Sequence, residues 1–264
     1  MNQKIKMELP KKAHNFLMSV NGIMGRVGMK EVQTMKQSIQ AVIFDMDGLM
    51  LDTERIAREA WRFAFNQFGI ALTDEDYLHF LGISPKDVSN MVAQRYSEKV
   101  DFDRAYQIRL DYTEQYYKEH GVPLKPGIVE LLSFLESNGI QRVVATSSTG
   151  DMARFRLQRA GILDWFAYIS SSDQVGRGKP APDVYLAALE HLKISRDMCV
   201  ALEDSEAGIR AALAADLRVI WVPDLIEPSP LLRERVWTVV NDLNEASDFL
   251  RSCLQAKEVM RCTD

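Results

Sequence analysis

The amino-acid sequence predicts an α/β fold in which a doubly wound parallel sheet carries a helical domain inserted after its first strand. Three observations support this prediction. Short apolar runs recur along the chain, and most are continuous rather than alternating, as in strands buried on both faces. Helical patterns separate most of these runs, which is typical of βαβ units. The interval between the first and second runs shows helical patterns only.

Six runs are predicted to be strands, and the last of them has the weakest pattern. They lie at 41–44, 142–145, 168–170, 199–202, 218–222 and 236–240. The helices between the later strands are predicted at 128–137, 151–160, 183–191 and 206–215. Gly139, Gly161 and Asp216 follow or end such patterns, and glycine is the usual residue just beyond a helix. This alternation defines the predicted core domain, which covers residues 39–53 and 124–250.

The inserted domain is predicted to be helical and to form a cap over residues 54–123. Its first helix has one apolar stripe, formed by Ala57, Ala60, Trp61, Ala64, Phe65 and Phe68. Thr73 is predicted to begin a second helix, and Ser84 to cap a third whose first residue is Pro85. A fourth helix is expected over 110–120.

The two ends of the chain carry weaker patterns. Residues 1–38 lack the continuous apolar stretch of a signal peptide, and Met35 stands just before the first strand. We expect either a natural start at Met35 or a loosely attached, disordered extension. Residues 251–264 are expected to form a C-terminal tail.

Composition limits the classes of function. The chain has 264 residues, 47% of them hydrophobic, and a net charge of −5. Without a basic excess, nucleic acid is not expected as a partner, and without an apolar run of about 18 residues, neither is a membrane. Three cysteines with no paired spacing predict neither a disulfide framework nor a zinc site. We expect a cytoplasmic protein that is a monomer or a weak homodimer.

Polar residues follow the predicted strands where each one ends. The stretches are Asp45-Met46-Asp47-Gly48, Thr146-Ser147-Ser148, Lys179-Pro180 and Glu203-Asp204-Ser205. Because ligands bind beyond the carboxyl ends of parallel strands, we expect these groups to converge on one edge of the sheet. Crowded carboxylates repel unless a cation joins them, and oxygen ligands suit Mg²⁺. Hydroxyls and backbone N–H groups at a helix start hold phosphate oxygens. The pattern predicts a metal-assisted phosphoryl-transfer site.

These stretches resemble the haloacid dehalogenase superfamily and, within it, the β-phosphoglucomutase-like phosphatases with a helical cap. Four motifs carry the resemblance in the family's order, within about residues 39–250. They are Phe44 to Glu54, Ala145 to Ser148, Gly178-Lys179-Pro180-Ala181-Pro182-Asp183, and Leu202 to Gly208. A lone Asp-x-Asp is a weak signal, whereas four motifs in order at strand ends are specific.

The resemblance implies a role for each acid and for the lysine. Asp45 would be the nucleophile that forms an aspartyl-phosphate and a ligand of Mg²⁺. Asp47 would be the general acid/base, with its backbone carbonyl on the metal. Asp204 would supply a further metal carboxylate, with Glu203 in a supporting role. Lys179 would stabilise the charge of the nucleophile and of the phosphoryl group.

The remaining motif residues are expected to bind phosphate and substrate. Thr146 matches the family's phosphate-binding hydroxyl, and Ser147 and Ser148 lie beside it in the sequence. In the predicted cap, Lys86 and Arg55 are candidates for substrate specificity. The substrate is expected to be a small phosphorylated metabolite, such as a sugar phosphate.

Three functions remain open at this point, of which a Mg²⁺-dependent phosphomonoester hydrolase is favoured. A sugar phosphomutase of the β-phosphoglucomutase type is the first alternative. Such a mutase has a His where this chain has Ala57 and an Arg where it has Pro85, and both departures favour the hydrolase. A non-catalytic regulatory or signalling protein on the same fold is the second alternative, but no motif acid is lost. In signalling receiver domains the phosphorylated Asp follows the third strand, whereas here the acid pair follows the first.

Overall fold

The structure is a computed structural model. It describes residues 39–81, 85–96, 99–224 and 229–261. The expectations for residues 1–38, for the Ser84 cap and for the last three residues of the tail lie outside the described residues. The chain forms two compact units, and one of them is Ile39–Ser247. The other includes Asp248–Asp264, where the Ser252 hydroxyl donates to the Phe249 carbonyl (2.7 Å).

The core is a six-stranded parallel sheet in the order β3-β2-β1-β4-β5-β6. Its strands are β1 (Ala41–Phe44), β2 (Gln141–Ala145), β3 (Tyr168–Ser170), β4 (Cys199–Glu203), β5 (Arg218–Trp221) and β6 (Thr238–Val239). The first strand is central, and the chain runs outward from it on both sides, as in a doubly wound fold. All six predicted strands are confirmed, although β6 is shorter than the apolar run that predicted it.

Ten α-helices are described. They are α1 (Thr53–Asn66), α2 (Asp74–Leu78), α3 (Pro85–Tyr96), α4 (Phe102–His120), α5 (Ile128–Ser137), α6 (Gly150–Arg159), α7 (Asp183–Leu192), α8 (Glu206–Ala214), α9 (Pro230–Arg233) and α10 (Leu243–Arg261). Short 3₁₀ turns lie at Leu163–Trp165, Ser172–Gln174 and Arg196–Met198. None of the described helices combines the length and apolar character needed to cross a bilayer.

The core helices lie close to where the sequence places them, whereas the fourth cap helix is longer than expected. Asp101 caps α4 by accepting a hydrogen bond from the Arg104 N–H (3.1 Å), and the helix begins at Phe102, eight residues before the predicted start at 110. The sequence analysis named neither α9 nor α10. The boundary drawn at residue 250 falls inside α10, which continues to Arg261.

The inserted helices α1 to α4 have their own apolar cluster. Trp61 lies within it, and its ring contacts Phe65, Phe80 and Phe102 at centroid distances of 5.5–5.9 Å. Burial of a large apolar side chain contributes about 1.5–3 kcal/mol, so a few such residues stabilise this helical group. Thr73 begins α2 with a reciprocal capping box, because its hydroxyl accepts from the Asp76 N–H and the Asp76 carboxylate accepts from the Thr73 N–H.

The chain enters and leaves the inserted helices at one place. Leu51 and Leu124 form an antiparallel bridge between the two connecting segments. The Asp52 N–H donates to the Pro123 carbonyl and the Lys125 N–H to the Met50 carbonyl, both at 2.9 Å. The two connections therefore hold each other beside the end of β1.

Candidate active site

The register of the sheet places two predicted acids side by side. Phe44 in β1 pairs with Leu202 in β4, so the next residues, Asp45 and Glu203, are neighbours. The Asp45 N–H donates to the Leu202 carbonyl (3.0 Å), which extends the ladder to the acid itself. Both side chains are buried. Main-chain pairing thus fixes the relative position of these two acids.

Lys179 joins this acid pair from the loop before α7. Its ammonium donates to Asp45 Oδ1 and to Glu203 Oε1 (2.6 Å), and only 4% of its side chain is exposed. Burial disfavours the charged lysine, but Asp45 and Glu203 outweigh burial and raise its pKa above the usual range. The lysine is therefore a fixed positive charge at the end of β1.

Glu203 is held by donors on every side. Tyr185 of α7 donates its hydroxyl to Oε1, and the Asp204 N–H (3.2 Å) and Ser205 hydroxyl (3.3 Å) donate to Oε2. Gly208 leaves the space for this carboxylate, since a Cβ there would lie 1.9 Å from Oε1. With all its oxygens engaged, Glu203 positions Lys179 and has little capacity for a ligand.

Asp204 lies against Gly48, just after the Asp-x-Asp motif. Gly48 has φ +86°, and a Cβ there would lie 2.1 Å from Asp204 Oδ2, so the position requires glycine on both counts. Burial, together with Asp45 and Glu203, raises the Asp204 pKa well above its usual value. Burial also raises the pKa of Asp45 to about 8, with Glu203 adding to it and Lys179 opposing it.

The three acids fit a divalent cation. One ligand oxygen from each of Asp45, Glu203 and Asp204 lies within 4.8 Å of the others. Three carboxylates against one ammonium, that of Lys179, leave an excess of two negative charges when all are ionised. Burial, together with repulsion from neighbouring acids, raises the pKa values of Asp45 and Asp204, and a cation with a charge of two would offset this repulsion. Since Glu203 is engaged, Asp45 and Asp204 are the carboxylates with oxygens to spare.

The Asp47 side chain has different hydrogen-bond donors from those of Asp45. Its Oδ1 accepts from Arg156 Nη1 (2.8 Å) and its Oδ2 from the Ser148 hydroxyl (2.9 Å). Arg156 Nη1 also donates to Ser148 Oγ (3.2 Å). Asp47 is thus bound to α6 and to the turn before it, whereas Asp45 is bound to Lys179.

The predicted phosphate-binding hydroxyls lie in the turn between β2 and α6. Thr146 is buried, and its hydroxyl accepts from the Ser148 N–H (3.0 Å). Ser147 is exposed, and Ser148 contacts Asp47 as described. Since Phe44 pairs with Val144, this turn follows β2 at the level where the acid motif follows β1.

The inserted helices contribute a half-buried acid and a tyrosine near Asp47. Glu54, at the start of α1, accepts from the Tyr77 hydroxyl (2.7 Å), and burial raises its pKa. Tyr117 of α4 is buried, and burial raises its pKa to about 12, with Arg156 opposing and Asp47 adding to the shift. These groups lie close enough to interact electrostatically with the acid motif.

The two predicted specificity residues lie on the inserted helices and are not in contact with the acids of the site in this structure. Arg55 Nε donates to Asp52 (2.8 Å) and Arg55 Nη1 to Glu59 (3.2 Å). Lys86 is exposed at the start of α3. Their role in specificity stays a prediction.

Sequence patterns do not indicate the contacts that Arg156, Tyr185 and Asp224 make near the site. Arg156 looks like an ordinary helix arginine, Tyr185 has the helical spacing of a core aromatic, and Asp224 follows β5 without a motif. Asp224 Oδ1 accepts from Lys125 (2.6 Å), while its Oδ2 is buried without a partner among the described residues. Its place after a parallel strand is the signal that could have indicated it.

Comparison with known proteins identifies the family of this chain. The family model of the haloacid dehalogenase-like hydrolases matches residues 42–222. A phosphorylated carbohydrates phosphatase of Thermotoga maritima is 29% identical over 81% of this chain and 91% of its own length. Hexitol phosphatase A of Escherichia coli is 33% identical over 68% of this chain and 81% of its own.

Solved structures show the same fold. The crystal structure of CbbY from Rhodobacter sphaeroides in complex with phosphate has 25% identity and a TM-score of 0.63. The similarity covers 78% of this chain and 95% of that one. Together with the family match, this likeness confirms the resemblance drawn from the four motifs. The chain belongs to the haloacid dehalogenase-like hydrolases, in their β-phosphoglucomutase-like subfamily of phosphatases.

Proposed function

We propose that this phosphatase is a Mg²⁺-dependent hydrolase of small phosphomonoesters, such as sugar phosphates, and that it acts through an aspartyl-phosphate on Asp45. The observation that carries the proposal is the buried cluster of Asp45, Glu203 and Asp204 around Lys179. Two of its relatives are named as phosphatases of phosphorylated carbohydrates and of hexitols, which supports a similar class of substrate.

Mg²⁺ would be held by the Asp45 and Asp204 carboxylates and the Asp47 backbone carbonyl. When bound, it would supply positive charge that neutralises the acids and the phosphoryl oxygens. Gly48 serves this site by letting Asp204 approach the acid motif.

Asp45 attacks the phosphorus in the first step, and the bond from phosphorus to the ester oxygen breaks. The carboxylate must be ionised to attack, which Lys179 favours by its charge. Lys179 is held in turn by Glu203, so it remains in place when Asp45 becomes phosphorylated. Charge neutralisation by fixed groups of this kind is the main source of catalysis in phosphoryl transfer.

Asp47 acts as the general acid in the first step and as the general base in the second. In the first step it gives a proton to the leaving alcohol. In the second step a water attacks the aspartyl-phosphate, Asp47 takes its proton, and the bond between Asp45 and phosphorus breaks to release inorganic phosphate. General acid–base catalysis of this type supplies about 10²–10⁴-fold. The hydroxyls of Thr146 and Ser147, with Lys179, would hold the phosphate oxygens, and Ser148, whose hydroxyl donates to Asp47, would line the same site.

Ala57 and Pro85 favour water over a sugar as the acceptor, because they replace the His and Arg expected in a mutase. Ala57 packs beside the apolar cluster of the inserted helices, where it offers no polar group to a sugar. Arg55 and Lys86 are the proposed specificity residues, with Arg55 exchanging Asp52 for an anionic group of the substrate.

The test is phosphate release from a panel of sugar and hexitol phosphates with Mg²⁺ or with a chelator. We expect turnover that requires Mg²⁺ and that Asp45→Asn abolishes while thermal unfolding stays cooperative. Asp164→Asn, a matched change at an exposed acid in the 3₁₀ turn Leu163–Trp165, outside the site motifs, should leave turnover unchanged. Acid-quenched digests of the native protein should contain a phosphate adduct on the peptide that includes Asp45.

Other outcomes would contradict the proposal. Glucose 6-phosphate formed from β-glucose 1-phosphate would identify a mutase. Absence of phosphate release from every monoester would favour the regulatory protein. Turnover by Asp45→Asn at the native rate would exclude an aspartyl-phosphate at this residue.

A further inference from the structure

The two oxygens of the Asp47 carboxylate have donors of different kinds. Oδ1 accepts from the Arg156 guanidinium (2.8 Å), whose nitrogens can only donate hydrogen bonds. Oδ2 accepts from the Ser148 hydroxyl (2.9 Å), which can rotate and serve as donor or acceptor. The first oxygen is therefore always bound by a donor, while the second can carry a proton without losing its partner.

Arg156 is presented from a fixed helix. Ala153 and Leu157, its neighbours on α6, are buried, and the arginine side chain is only 20% exposed. One turn later, Arg159 Nη2 donates to the backbone carbonyls of Tyr117 (2.7 Å) and Lys118 (2.6 Å) at the end of α4. The same helix thus holds Asp47 through Arg156 and the inserted helices through Arg159.

We propose that Arg156 is a positioning residue that fixes Asp47 by its Oδ1, so that Oδ2 is the oxygen that gives and takes the proton during turnover. This inference rests on the proposed role of Asp47 as general acid/base. Ser148 keeps its hydrogen bond to Oδ2 in both states. Its hydroxyl donates to Oδ2 when Asp47 is ionised and accepts from Oδ2 when Asp47 is protonated.

The proton balance follows from this arrangement. In the first step the Oδ2 proton moves to the ester oxygen as its bond to phosphorus breaks, and Ser148 turns to donate to the ionised Oδ2. In the second step a proton of the attacking water moves to Oδ2 as the bond from the water oxygen to phosphorus forms and the bond from Asp45 to phosphorus breaks, and Ser148 turns back. Arg156 keeps its proton and its bond to Oδ1 throughout.

This role can be separated from a merely structural one by the leaving group. An alkyl alcohol needs a proton as it leaves, whereas p-nitrophenolate leaves readily as the anion. Poor placement of Asp47 should therefore slow the first step on an alkyl phosphate and leave the first step on p-nitrophenyl phosphate almost unchanged. A general structural defect should slow both to the same extent.

The experiment is a single-turnover measurement with enzyme in excess and Mg²⁺ present. The probes are p-nitrophenyl phosphate and the fastest of glucose 6-phosphate, sorbitol 6-phosphate and glycerol 3-phosphate. Arg156→Met removes the charge and Arg156→Lys retains one donor. Arg154→Met is the matched control, because Arg154 is exposed on the same helix. Arg156→Gln replaces the Met variant if that variant fails to fold cooperatively.

We expect Arg156→Met to slow the first step on the alkyl phosphate by about 10- to 100-fold, part of the roughly 10²–10⁴-fold that an acid–base group supplies. On p-nitrophenyl phosphate the same step should change by less than about threefold, and Arg156→Lys should recover part of the loss. Arg154→Met should match the native protein on both substrates.

Three results would overturn the inference. Equal slowing on both substrates would indicate that Arg156 has a structural role. No slowing on either substrate would show that Arg156 has no role in the first step. A weaker apparent affinity for the alkyl phosphate with an unchanged first-step rate at saturation would mean that Arg156 binds substrate. Lack of turnover by the native protein on every probe would instead count against the proposed function itself.

Discussion

Replacement of Gly208 by alanine provides a sharp test of the carboxylate network at the end of β4. Gly208 lies in the first turn of α8, where alanine is ordinarily the better residue. At a compatible position Gly→Ala stabilises a protein by about 0.4–1 kcal/mol. Here the added Cβ would lie 1.9 Å from Glu203 Oε1 and 2.1 Å from Oε2, so the carboxylate must move.

The cost of that movement follows from the partners of Glu203. The carboxylate is fully buried and accepts from Lys179, Tyr185 and the Ser205 hydroxyl. Breaking a buried ion pair on one side costs about 3–5 kcal/mol. After the helical gain is subtracted, Gly208→Ala should destabilise the protein by about 2–4 kcal/mol. For a chain of this size that corresponds to a loss of about 5–15 °C in Tm.

Thermal and urea unfolding of the protein, followed by circular dichroism, would measure this loss. Gly150→Ala is the matched control, since Gly150 is also helical and its Cβ would lie 3.2 Å from the rotatable Ser171 hydroxyl. The control should stay within about 1 kcal/mol of the native protein. A Gly208→Ala protein as stable as the native one, or more stable, would refute the reasoning.

Two further predictions concern the metal and the inserted helices. Burial raises the pKa of Asp45 from 3.8 to about 8 and that of Asp204 well above 3.8, so the metal-free folded protein binds protons that the unfolded chain has released. The contribution of these two groups to the free energy of unfolding of the metal-free protein should therefore be largest below about pH 4. It should fall as the pH rises toward 8. Because Mg²⁺ must displace those protons, the Tm gain from Mg²⁺ should be larger at pH 8.5 than at pH 5.5; an equal or smaller gain would contradict the cluster's proposed role. Arg159→Met removes the hydrogen bonds to the Tyr117 and Lys118 carbonyls, each worth about 0.5–1.5 kcal/mol, and should speed hydrogen exchange at the end of α4 by roughly 5- to 150-fold. Arg154→Met is again the control, and unchanged exchange in Arg159→Met would mean that the contact does not restrain α4.

The sequence predicted the fold and the convergence of the site from local patterns alone. Continuous apolar runs separated by helical patterns correspond to buried parallel strands, and their carboxyl ends must meet at one edge. That geometry is enough to predict from the sequence that Asp45, Lys179, Glu203 and Asp204 lie together. The inserted helices were equally visible, because Trp61 and its apolar neighbours repeat at helical spacing.

The partners of each carboxylate could not be predicted in this way. Arg156 lies between Arg154 and Arg159 on one helix, and only the packing of α6 decides which of the three reaches Asp47. Tyr185 has the spacing of a core residue, and its hydroxyl finds Glu203 only through the placement of α7. Such contacts depend on distances between helices and strands. The spacing of residues within one helix or strand gives no information about those distances.

The paired connections around Leu51 and Leu124 have a consequence for how this protein can change. An insertion whose two ends already touch adds little strain to the fold that receives it, since closing the gap it leaves needs only a short turn. The helices between those ends can therefore be lengthened, exchanged or lost while β1 keeps its neighbours and the acids keep their positions. The main chain joins the inserted helices to the core at one place, so this piece of chain can change while the sheet that carries the site acids stays the same.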